Sequence, residues 1–159
     1  MVIIVYKKIL YPTDFSETAE STLNHVKAFK NLGGEVVILL HIVDERDVKK
    51  NDIFSLLLGV AGLNKSVEEF ENELKKKLTE EAKSKMEKIK RELEGVGFKV
   101  KDMVIVGKPH EKIVKVAEEE DVDVIIIGKT NLKEILGKIT ENVIKKSDKP
   151  VLIVKGEGY

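Results

Sequence analysis

Cysteine is absent from the 159-residue chain, which excludes disulfides, thiolate metal ligands and cysteine nucleophiles and fits a reducing cytoplasm. A surplus of charge is missing too. Lysine plus arginine equals aspartate plus glutamate at 28 each, so no net field draws the chain to nucleic acid or to an acidic membrane surface. No apolar run has the length of a bilayer span, and the opening MVIIVYKK is apolar over too few positions for a signal peptide. Zinc spacings, a nucleophile elbow and an EF-hand loop are also lacking, so the residues offer no obvious catalytic centre. Without an internal repeat, low-complexity tract or linker, the length suits a single domain, residues 1–159.

What is present is a regular alternation of apolar runs with amphipathic segments. Val2 to Tyr11 nearly forms one run ending at Pro12, and Val36 to Leu40 is unbroken within Glu35 to Asp44. Val100 to Val106, Asp123 to Gly128 and Pro150 to Val154 are shorter runs of the same kind. Each reads as a strand covered on both faces. Between the first two, Ala19, Leu23, Val26, Phe29 and Leu32 recur at helical spacing after Ser16 or Thr18 as cap, and Gly33 and Gly34 stop them. Val67 to Leu93 carries a longer stripe capped by Ser66 and broken by Gly95 and Gly97. Pro109 is placed for the first turn of a short helix burying Ile113, Val114 and Ala117. The pattern predicts an α/β fold, a three-layer α/β/α sandwich around a five-stranded, mainly parallel sheet. Ile53 to Leu63 reads either as a short helix over the sheet edge or as a lid or subunit contact. Charged residues are 35% of the chain, mostly Lys and Glu, a bias that accompanies life at high temperature.

PTDFSE after the first strand, LLHIVD closing the second, GKPHEKIVKVAEE before the fourth and DVIIIG…ENVIKKSDKPVLIV at the end resemble the universal stress protein family over essentially the whole chain. The likeness is strongest to its archaeal ATP-binding members. The resemblance implies a Rossmann-like sheet of order 3-2-1-4-5, a cytoplasmic homodimer paired along the strand Pro150 to Val154, and an adenine nucleotide site between strands one and four. It places Pro12, Thr13 and Asp14 at the adenosine moiety and the backbone of Ile42 and Val43 against the adenine ring. Gly128, Lys129, Thr130, Gly137 and Lys138 fall in the phosphate loop. Without the family, the favoured reading of Asp14 is a helix cap or turn residue. An exposed fifth-strand edge seeks a partner on physical grounds as well, unless the tail Lys155 to Tyr159 shields it.

The phosphate loop departs from the family. ATP-binding members resemble G-x2-G-x9-G followed by Ser or Thr, whereas Gly128 and Gly137 enclose eight residues and Lys138 follows in place of the hydroxyl. Taken as the second glycine, Gly128 leaves the spacing one short and puts Ile125 at the first position. Natural drift and deliberate engineering both produce such a shortening. Leu132, Ile135, Leu136, Ile139, Val143 and Ile144, with Asn131 and Glu134 as a capping box, predict one uninterrupted helix with Gly137 inside it. Interior helix amides are already bonded, so no nest for three phosphates forms there. ATP binding is then weakened or lost, and magnesium follows ATP. Gly128, Lys129 and Thr130 at a helix start still favour an anion, which leaves an ATP-binding switch as the alternative. GKT lacks the earlier glycine of a P-loop, since Asp123 stands there. His41 with Asp14 and Asp44 is drawable as an acid/base set, though a hydrogen-bonded rim histidine is the plainer reading. The expectation is a binding protein with an unidentified protein partner, and slow ATP hydrolysis at most.

Overall fold

The computed structural model describes residues 3–16, 19–48, 67–129 and 137–155. Five strands, β1 (Lys8–Pro12), β2 (Val36–Asp44), β3 (Lys99–Gly107), β4 (Val124–Lys129) and β5 (Val151–Lys155), form one sheet of order β3-β2-β1-β4-β5. Every pairing is parallel. The helices lying wholly within the described residues are α1 (Ala19–Ala28), α2 (Val67–Val96), α3 (Pro109–Glu119) and α4 (Lys138–Lys146), and residues 45–48 after β2 are helical as well.

Strand alternation sorts the core into two layers. Ile9, Tyr11, Val37, Leu39, Val124 and Ile126 pack with Leu23 and Val26 of α1 and Met86 and Leu93 of α2. Leu10, Ile38, Leu40, Ile125 and Ile127 pack on the opposite face with Ile113, Val116 and Ala117 of α3 and Val143 of α4. Burial on both faces is why β1, β2 and β4 are almost continuously aliphatic; each such side chain contributes about 1.5–3 kcal/mol. The order reverses between β1 and β4, which opens a crevice at their carboxyl ends.

Three expectations need correction. The first strand starts at Lys8, where its ladder with β2 begins opposite Val36; Ile3 and Ile4 are 72% and 77% exposed. The first helix tightens into a 3-10 turn at Phe29–Leu32, and the changed pitch leaves Leu32 outside the buried stripe. Gly95 lies inside α2, which ends at Val96 ahead of Gly97 with φ +105°. From α3, Val116 is buried along with Ile113 and Ala117, and Val114 packs half-buried against the same core. Ile53 to Leu63, Thr18 and Ser66 lie outside the described residues.

At the amino ends of the strands the polar groups are tied together. The Lys8 amide donates to Asp123 Oδ2 at 2.8 Å and the Asp123 amide returns a bond to the Lys8 carbonyl at 2.8 Å. Lys8 Nζ donates to the Glu120 carbonyl at 2.9 Å, and Lys101 pairs with the Glu120 carboxylate. Lys149 Nζ reaches Asp121 Oδ1 at 2.6 Å. The Lys101 hydrogen bond holds the Glu120 carboxyl below its usual range, and Lys149 does the same for Asp121.

Candidate functional site

A cavity of about 500 Å³ occupies the crevice at the opposite end of the sheet. Pro12, Thr13 and Asp14 leaving β1, Ile42 and Val43 ending β2, and Gly128 near the end of β4 all line it. The sequence singled out each of these. Pro109 and Ile113 of α3, Ile139 and Thr140 of α4, and Leu78, Glu81, Ala82 and Lys85 of α2 complete the wall.

The turn after β1 is fixed at every polar group of Thr13. Its amide donates to the Leu40 carbonyl at 2.8 Å, and its carbonyl lies 2.7 Å from His41 Nδ1. Its hydroxyl accepts from the Phe15 amide at 3.2 Å and bonds the Tyr11 phenol, a group that burial pushes up to about 12. Asp14 Oδ1 accepts from the Ser16 amide at 3.0 Å. Asp14 is thus a turn residue whose exposed side chain lines the cavity. Phe15 sits at φ +61°, a left-handed conformation that costs a side-chain-bearing residue roughly 1–2 kcal/mol. Its ring centroid lies 4.6 Å from that of His41, with Lys85 Nζ over the Phe15 ring at 5.5 Å from its centroid, and these contacts offset the strain.

Across the cavity, Gly137 caps α4 with φ +74° and ψ +147°. The expectation of one helix running through Gly137 is therefore wrong at that residue. Glycine enters this backbone region freely, and α4 starts at Lys138. The first bond of α4 runs from the Glu141 amide to the Gly137 carbonyl at 3.1 Å, leaving the amides of residues 138–140 without an intrahelical partner. Such an end attracts anions. Lys138 is exposed there, and Thr140, only 6% exposed, lines the cavity and brings a hydroxyl two positions after Lys138. Gly128 and Gly137 are both half-buried. Lys129 closes β4 opposite Lys155, while Thr130 and the capping box Asn131–Glu134 lie outside the described residues.

His41, Asp14 and Asp44, the drawable acid/base set, all line the cavity. His41 engages the Thr13 carbonyl and Phe15, and Arg46 grips the Asp44 carboxylate through Nε at 3.1 Å and Nη2 at 2.7 Å. His25 is exposed on α1 and His110 stands in the first turn of α3. Sequence reasoning missed the α2 wall and Phe15, for which no motif exists. Thr140 could have been found as the first hydroxyl beyond Gly137.

A profile of the universal stress protein family matches residues 5–155. The chain belongs to that family. Universal stress protein MJ0577 of Methanocaldococcus jannaschii is 76% identical over 156 residues, covering 96% of both chains. A solved structure of MJ0577 superposes with a TM-score of 0.81 over 98% of this chain and all of the other, pairing 64% identical residues. The superposition pairs residues by position, so its identity is the lower figure. A universal stress protein of Archaeoglobus fulgidus in complex with dAMP shares the fold at 22% identity and a TM-score of 0.61, covering 96% of this chain and 100% of that one. Another family structure, in complex with cAMP, does so at 17% and 0.61, covering 96% and 98%. No helix among the described residues is long and apolar enough to cross a membrane.

Proposed function

We propose that the cleft is a receptor for an adenine nucleotide, and that its abbreviated phosphate loop holds one phosphate better than three. One observation carries this reading: residues distant in the chain, Asp14, Ile42, Val43 and Gly128, converge on a single cavity at the topological switch point. Ile42 and Val43 offer backbone to the base, and Asp14 offers an acceptor to ribose hydroxyls. The half-buried Gly128 and the amides opening α4 suit a phosphate, with Lys138 as a nearby cation. Gly128 and Gly137 enclose only eight residues, which leaves little chain to wrap a triphosphate. The family structures holding dAMP and cAMP carry single-phosphate nucleotides, in line with this preference.

The role is binding rather than turnover, in the cytoplasm, with occupancy altering contacts to a second copy or to a protein partner. β5 is an edge strand whose Val151, Leu152 and Ile153 are half-buried, and antiparallel pairing with its symmetry mate covers that edge. Light scattering of the eluted protein should give twice the chain mass; the mass of one chain removes the dimer.

Calorimetric titration with AMP, and with ATP plus magnesium, tests the ligand. Saturable heat with AMP and about tenfold weaker binding of ATP is expected. Tight ATP binding restores the ATP-switch reading through Asp14, Val43 and Gly128 to Thr130. Silence with both nucleotides up to millimolar concentration ends the nucleotide reading.

A further inference from the structure

We infer that His41 is the positioning residue of the cleft: held in one tautomer by the Thr13 carbonyl, it keeps the turn from Thr13 to Ser16 in the shape that presents Asp14. This deepens the nucleotide reading above and rests on it for its effect on affinity.

The chemistry of the pair fixes the tautomer. A carbonyl oxygen only accepts, so the 2.7 Å contact from His41 Nδ1 to Thr13 requires the proton on Nδ1. Nε2 is left as the acceptor of the neutral ring, and among the described residues His41 makes no second hydrogen bond. Strand alternation places His41 on the same face as Val37 and Leu39, where the Phe15 ring meets it at 4.6 Å and 33°. One imidazole therefore secures two points of the turn, the Thr13 carbonyl by hydrogen bond and the left-handed Phe15 by ring contact. Asp14 stands between those two points, its own Oδ1 committed to the Ser16 amide. Release of either point lets Phe15 relax toward ordinary backbone angles, and the carboxylate then swings with the peptide.

Nitrogen-15 spectra of the histidine ring nitrogens in the full-length protein, near neutral pH and without nucleotide, should show His41 protonated at Nδ1. This is the minor tautomer of free histidine, so protonation at Nε2 alone overturns the assignment. His41→Leu, which fills the space without a donor, should speed amide exchange of Ser16 and weaken AMP binding about tenfold. His41→Asn sets an amide near the Nδ1 position and should restore slow Ser16 exchange and bring affinity within about threefold of the parent. Unchanged Ser16 exchange in His41→Leu overturns the proposal, as does failure of Asn to rescue in a variant with native amide spectra. A parent protein that binds no AMP refutes the nucleotide reading alone, because the tautomer and exchange measurements decide the role of His41 without ligand.

Discussion

The two ends of the same five strands solve different problems. At the amino end, Lys8, Lys101, Lys149, Glu120, Asp121 and Asp123 are all paired with each other or with backbone. At the carboxyl end, Phe15 is held at a positive φ, Asp14 uses one carboxylate oxygen on its own turn, and the first amides of α4 lack intrahelical partners. The difference teaches that this fold spends its polar groups on cohesion where the chain enters the sheet. At the cavity the opening amides of α4 have no intrahelical partner and so keep their bonding capacity.

Substitutions at the two ends should therefore separate affinity from stability. Asp14→Ala should lower AMP affinity about a hundredfold, the loss of a charge-assisted bond of about 2.7 kcal/mol, with little change in Tm; calorimetry at equal Tm reads it, and unchanged heat misplaces the site. Gly137→Ala should weaken both properties, since an L residue at φ +74° costs about 2 kcal/mol; denaturant unfolding and AMP titration of the same sample measure the two effects. Asp123→Ala leaves the Lys8 amide without its acceptor and should cost about 1.5 kcal/mol of stability while AMP binding stays as it was. A fall in affinity there would couple the two ends.

The smallest effect depends on pH. Lys101 lowers the folded pKa of Glu120, so the native state binds that proton less readily than the unfolded chain does. The resulting stability is present above the unfolded carboxylate pKa and is lost as pH falls through the lowered folded value. Lys101→Met should move the acid-unfolding midpoint to higher pH and cost under about 1 kcal/mol at neutral pH, since the pair is partly exposed. Circular dichroism across the acid range follows it; an unmoved midpoint would show that Glu120 is held by Lys8 alone.

Sheet and layers were readable from apolar runs, because burial on both faces leaves strands no room for polar residues, whereas the cavity residues foreseen came from the family resemblance. Boundaries were less legible. Ile3 and Ile4 continue the apolar pattern of β1 yet stand exposed, ahead of a ladder with β2 that begins at Lys8. The helix expected to run through Gly137 fails at that residue, because side-chain spacing carries no backbone angles and Gly137 stands at φ +74°.

Residue order by itself determined the alternation of strands and helices, the two buried layers and the placement of Asp14, Val43 and Gly128 at strand ends, because local periodicity and turn chemistry carry that information. Only the tertiary structure decided that His41 meets the Thr13 carbonyl, that Phe15 lies against that ring, and that α4 begins at Lys138. Those features arise from contacts and backbone angles between segments far apart in the chain, where hydrogen-bond geometry rather than hydrophobic spacing sets the outcome.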